Sequence, residues 1–243
     1  MPPSIFSAPN EQYLTHIELC REKYEIVFPL FLHPIKRILG YTDEKILYNS
    51  FLKMICFHDL GKLTKRWQEN LGKNAKVSHA PIGAAFLFKI LPTGLREPIS
   101  FAIAIHHTDK GLLGDNIERP DVQAVLEGIV DFDGNIIWHK DAYKLESDWF
   151  PGEAKNLTIH ELKEMARGLR IWAKGGGLLE QHQRRLQASL AHHILKLCDI
   201  SAAGERKDYQ KKDDEDYYGG WLMVEEIKRY VENKKLLMGG INE

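Results

Sequence analysis

With 243 residues, 44% of them hydrophobic and 28% charged, the chain can close a full core as one large domain or two small ones. A formal net charge of −1 at pH 7 excludes capture of a polyanion by the overall field, so any nucleic-acid contact has to come from a local patch. Apolar runs are all far short of the roughly 20 residues that span a bilayer, and the Met-Pro-Pro-Ser-Ile-Phe start is no signal peptide; with Cys20, Cys56 and Cys198 each set in an apolar helical pattern, a reduced cytoplasmic protein is expected.

In chain order, Asn10 predicts a capped helix from Glu11 to Val27, with Tyr13, Ile17, Cys20 and Tyr24 inward and an end before Pro29. His16 lies beside that stripe. Thr42 or Asp43 opens a second helix with Ile46, Phe51 and Ile55 inward, ending at His58-Asp59. An ionisable pair at the end of so apolar a run is costly to bury unless something compensates it. Neighbouring helical positions straddle one edge of a face, so an imidazole and a carboxylate can turn toward one divalent cation, and the two carboxylate oxygens of Asp59 can bridge a second. Gly61 is expected to let the chain turn out of the helix, which leaves Lys62 beside the ions. Lys65, Arg66, Lys73 and Lys76 follow around Trp67, with Glu69 the lone acid. Such a run is either a solvated face or a groove that holds a phosphate backbone while Trp67 stacks on a base.

Ser78 is expected to cap a third main helix, with His79 in its first turn before Pro81. A further helix from about Leu95 buries Ile99, Ala102 and Ile103 and ends at His106-His107. From Leu112 to Gly177 the pattern loosens into an insertion expected to shape a rim or channel. It carries a hairpin signal at Asp133-Gly134 and a capping box at Thr158 and Glu161. Gly175-Gly176-Gly177 breaks the chain before a helix from Leu178 to about Ala203, with Leu186, Leu190, Ile194 and Leu197 as its stripe and Asp199 near its end. A charged stretch over 204–218 reads as a mobile loop, and an amphipathic helix from Trp221 to Leu237 closes the chain.

The ordered set His16, His58-Asp59 and Asp199 resembles the HD-domain superfamily of metal-dependent phosphohydrolases. The run from His58 to Gln68, then Ser-His79-Ala-Pro-Ile-Gly-Ala, then His106-His107, is similar to the HD nuclease of CRISPR interference. That resemblance implies an all-α, HD-domain helical bundle with a small β-hairpin insertion, forming a single domain over 1–243. It implies two divalent metal ions drawn from Mn, Fe, Ni, Co or Mg. His16, His58, Asp59 and Asp199 would hold one, and Asp59, His79, His106 and His107 the other. Asp59 and Lys62 would be catalytic, with Lys62 on the attacked phosphate or leaving group. Lys65, Arg66 and Trp67 would bind the nucleic acid. Two cations a few Å apart can lower the pKa of a bridging water and neutralise charge on a phosphodiester.

The implied substrate is single-stranded DNA, with single-stranded RNA as a second. The implied partners are a separate CRISPR helicase and effector complex, since no Gly-x-x-x-x-Gly-Lys-Ser/Thr loop occurs in the chain. Two alternatives stand beside this: an HD-type nucleotide or cyclic-nucleotide phosphohydrolase, and an all-helical interaction module with a structural metal.

Overall fold

A computed structural model describes residues 4–73, 78–107, 128–205, 226 and 228–234. The chain starts as a two-stranded antiparallel hairpin, β1 (Phe6–Ala8) and β2 (Glu11–Gln12). This replaces the expected Asn10 cap. Pro9 and Asn10 suit a turn, and Gln68 clamps β1 by donating from Nε2 to the Phe6 carbonyl at 2.8 Å and accepting from the Phe6 N–H at 3.2 Å.

Helix α1 (Tyr13–Leu39) then runs unbroken through Pro29 and Pro34, where the sequence predicts an end. Each proline forfeits a backbone bond, worth about 3 kcal/mol in a helix interior. Val27, Phe28, Ile35 and Leu39 are buried on either side of them, at about 1.5–3 kcal/mol each, and hold the helix together. It stops at Gly40, whose φ of 71° places it in the left-handed region while its N–H bonds the Lys36 carbonyl at 3.0 Å.

Asp43 caps α2 (Glu44–Phe57), accepting from the Lys45 and Ile46 N–H groups at 2.9 and 3.1 Å. The inward stripe is Leu47, Phe51, Met54 and Ile55, and Ile46 points outward at 42% exposure. A 3-10 turn (Leu60–Leu63) leads into α3 (Lys65–Asn70). In α4 (Ala80–Ile90) Pro81 lies in the first turn, as predicted, but the N-cap is His79 and not Ser78. Helix α5 (Arg96–Ala104) ends two residues short of His106.

The expected hairpin appears as an isolated Val130–Ile136 antiparallel bridge closed by Gly134 at φ 85°. A second bridge joins Trp138 to Thr64 and so ties this segment to the turn after the His-Asp pair. A short α6 (Gly152–Lys155) precedes α7 (Ile159–Lys174), which carries the Thr158–Glu161 capping box and packs on α4 and α5. Helix α8 (Leu178–Ala203) lies along α1 and crosses α5. Leu186 is exposed and Leu190 half-buried, so its true stripe is Ala188, Ala191, Leu195, Cys198 and Ala202, with Ile194 and Leu197 also inside.

Residues 228–234 are helical and bury Val231, and the charged stretch from 206 lies outside the described residues. The architecture is an all-α bundle about one apolar core. Among the described residues no helix is long and apolar enough to cross a membrane.

Candidate metal centre

Five helices deliver their chemistry to one place. Helix α1 carries His16, the end of α2 His58 and Asp59, the N-cap of α4 His79, the exit of α5 His106 and His107, and the last turns of α8 Asp199. Their close approach depends on two glycines. A Cβ on Gly83 would fall 2.3 Å from the Phe57 carbonyl oxygen, and one on Gly61 would fall 2.2 Å from the His79 carbonyl oxygen. Gly61 is therefore needed for space and not for a helix exit, since it is not among the residues with positive φ. Lys196 on α8 donates to the His106 carbonyl at 3.0 Å and fastens α8 to the end of α5.

Asp59 sits at the middle, 1% exposed. Its Oδ2 lies 3.4 Å from His16 Nε2 and 3.5 Å from His58 Nε2, and its Oδ1 lies 3.0 Å from His79 Nε2 and 3.6 Å from His106 Nε2. Asp199 Oδ1 is 3.2 Å from His16 Nε2 and 3.7 Å from His58 Nε2. His79 and His107 face each other Nε2 to Nε2 at 2.7 Å. Around Asp59 the donors fall into two groups, His16, Cys20, His58 and Asp199, and Asp59, His79, His106 and His107, with donor atoms in each within 4.8 Å of one another.

The imidazoles are aimed by what their far nitrogens do. His58 Nδ1 and His106 Nδ1 donate to the Ile55 and Ile103 carbonyls at 2.8 and 2.6 Å. A carbonyl only accepts, so each ring must carry its proton on Nδ1 and turn the Nε2 lone pair inward. His16 Nδ1 lies 3.3 Å from Glu11 Oε1, and Ser7 Oγ donates to Glu11 Oε2 at 2.8 Å. That is the carboxylate–histidine pairing found behind metal ligands.

His58 Nε2, His106 Nε2 and both oxygens of Asp59 are buried without a hydrogen bond. Lys62 Nζ approaches Asp59 Oδ2 to 2.7 Å, as an ion pair lacking hydrogen-bond alignment. Buried acceptors converging on one point, with Lys62 as counter-charge on Oδ2 alone, fit a cation.

Protonation agrees with that fit. Burial would raise the Asp59 carboxyl, but the Lys62 charge beside it holds it well below the usual range. Burial likewise opposes ionisation of Asp199, and the hydrogen bond from His16 prevails and holds its carboxyl well below the usual range. Burial pushes His79 down to about 4. It takes His107 down to about 2, with help from His106 and His79. These two rings are neutral near pH 7, the state in which an imidazole can serve as a ligand. His16 goes the other way: burial opposes its charge, yet Cys20, Asp199 and Glu11 raise it, so a cation would replace a proton there.

A cavity of about 610 Å³ opens onto His79, His107 and Asp199, with Lys62, Trp67 and Lys73 on its walls. Trp67 stands edge-on to His79 at 4.5 Å, with Lys62 Nζ 5.5 Å from its ring centre. Lys65 and Arg66 do not line it. Lys65 is exposed and pairs with Glu69 at 3.7 Å, and Arg66 runs past Gly128. No described residue of 112–177 borders this cavity either. The described part of that segment, 128–177, buries Ile136, Trp138, Phe150 and Leu162 in the core, and residues 112–127 of the expected rim lie outside the described residues.

Sequence reasoning missed Cys20 and Glu11. Cys20 is one turn beyond His16 on the same helical face, a spacing that was legible, whereas the hairpin that brings Glu11 back to His16 left no clear periodic signal.

No family model matches the chain. It is 25% identical over 199 residues to the CRISPR-associated endonuclease Cas3-HD of Thermoproteus tenax, a span of 78% of this chain and 83% of that relative. The relationship to CRISPR-associated HD nucleases carried by the motifs is thus supported across most of both chains.

Proposed function

From that relationship and the convergent donors, we propose that this chain is a metal-dependent hydrolase, a nuclease that cleaves phosphodiester bonds of single-stranded DNA, and of single-stranded RNA as a second substrate, in CRISPR interference. The observation that carries the reading is the set of buried, donor-less Nε2 and carboxylate atoms around Asp59. Divalent ions bound there supply an acidified water and positive charge for the phosphodiester under attack.

The protein's own residues do the rest. Asp59 offers one oxygen to each group of donors. His79 and His107, neutral near pH 7, stand where the cavity meets the centre. Lys62, no longer needed as the counter-charge of Asp59 once cations are bound, can meet a phosphate entering the cavity. Trp67 presents an aromatic wall to a base and Lys73 a charge to the backbone. Lys65 and Arg66, outside the cavity, can contact only strand that extends beyond it. A separate helicase and effector complex in the cytoplasm would deliver that strand.

The size of the cavity also favours a second reading, a nucleotide or cyclic-nucleotide phosphohydrolase, because about 610 Å³ is within the usual range for small-molecule sites. Purified protein given Mn²⁺, Ni²⁺ or Mg²⁺ and labelled single strands should cut them, and Asp59→Ala should not. Absence of cleavage, or full activity in Asp59→Ala, overturns the proposal. Turnover of nucleotides with strands left intact selects the second reading.

A further inference from the structure

Resting on the metal-centre reading above, we infer that Cys20 is a further ligand of the ion held by His16, His58, Asp199 and one oxygen of Asp59, which makes that position selective for a thiophilic ion such as Zn²⁺ or Co²⁺ over Mg²⁺.

The distances carry this. Bonds of about 2.0 Å to nitrogen and oxygen and about 2.3 Å to sulfur put neighbouring donors on one ion roughly 3.3–3.6 Å apart. The structure has His16 Nε2 to Asp199 Oδ1 at 3.2 Å, His16 Nε2 to Cys20 Sγ at 3.6 Å and His58 Nε2 to Asp199 Oδ1 at 3.7 Å. His58 points to the same space independently, since its Nε2 is wholly buried and has no hydrogen-bond partner.

Cys20 is itself fully buried, so no solvent-borne electrophile reaches its sulfur. Coordination is the chemistry left to it: a metal–sulfur bond forms and the thiol proton passes to solvent. Thiolate in the donor set favours Zn²⁺, Co²⁺ or Fe²⁺, whereas Mg²⁺ prefers oxygen in an octahedron. Cys56 and Cys198 are in neither donor group.

Titrating Co²⁺ into the full chain tests this without any assay of cutting. A near-ultraviolet thiolate-to-cobalt band should grow to one equivalent. It should vanish in Cys20→Ser, whose visible cobalt bands remain, and persist in Cys56→Ser and Cys198→Ser. Zn²⁺ affinity should fall at least tenfold in Cys20→Ser, the lower end of what even outer-sphere changes cost, with Mn²⁺ affinity less affected. Co²⁺ bound without the band, or the band surviving in Cys20→Ser, overturns the inference and leaves the nuclease reading intact. Failure of the wild type to bind Co²⁺ at all overturns the inference, and the nuclease reading falls with it only if labelled strands also stay uncut with Mn²⁺, Ni²⁺ and Mg²⁺. The wild-type spectrum decides even if Cys20→Ser misfolds, and Cys20→Ala provides a second variant.

Discussion

Glu11 shows how much of the centre depends on residues that touch no substrate. Its carboxylate sits between Ser7 and His16 and fixes which His16 nitrogen faces inward. Glu11→Gln keeps the shape and removes the charge, and metal affinity measured by calorimetry should drop by about 10-fold, up to 100-fold, the usual cost of losing such a partner. Unchanged affinity would mean that His16 is held by packing alone. At this scale much was legible in the sequence. A His-Asp pair ending an apolar helix, and a His-His pair ending another, stand out because charged or polar groups are expensive there. The spacing of Cys20 from His16 was there to be read, but a lone cysteine in an apolar stripe has a cheaper explanation as core, and a lone glutamate near the N-terminus gave no signal at all. Lys65 and Arg66 follow Lys62 closely along the chain, but Thr64 caps a new helix there and they do not line the cavity.

Helices were read well where their ends carry side-chain caps and badly where packing overrode local preference. Asp43 and Thr158 both cap as their residue types predict. Pro29 and Pro34 fail to end α1 because the flanking apolar residues are buried against the bundle. The Thr158–Glu161 box gives an element-level expectation with a definite sign. Burial would raise the Glu161 carboxyl, but Lys89 at 2.8 Å and Thr158 bring it down to about 2 from 4.5. A folded pKa below the unfolded one stabilises above about pH 4.5, and that stability is lost as pH falls toward 2. Denaturation curves of wild type and Glu161→Gln should therefore differ at pH 7 and converge as pH drops through that window. A gap that stays constant with pH would show that the carboxylate charge contributes nothing.

Across the whole molecule the donors come from α1, α2, α4, α5 and α8, so a cation bound there links helices that lie far apart in sequence. An ion that binds only the folded chain stabilises it by about 2.7 kcal/mol at 100 times its dissociation constant. For a protein of this size that corresponds to a rise in Tm of roughly 5–10 °C. Thermal melts with Mn²⁺ or Zn²⁺ against a chelator should show it, and Asp199→Ala should largely abolish it; equal melts in both conditions would argue against a metal centre. The all-helical class and the order of helices were legible here because apolar periodicity is local information. The role of residues 128–177 as core support was not, because which face a loosely patterned segment packs on depends on partners elsewhere in the chain. The spread of donors from His16 to Asp199 also has a consequence during synthesis. A polypeptide still emerging from the ribosome, with α8 unmade, lacks one carboxylate and the helix that braces the rest. Whatever cutting this protein performs is withheld by topology until α8 has been made and has packed against α1 and α5.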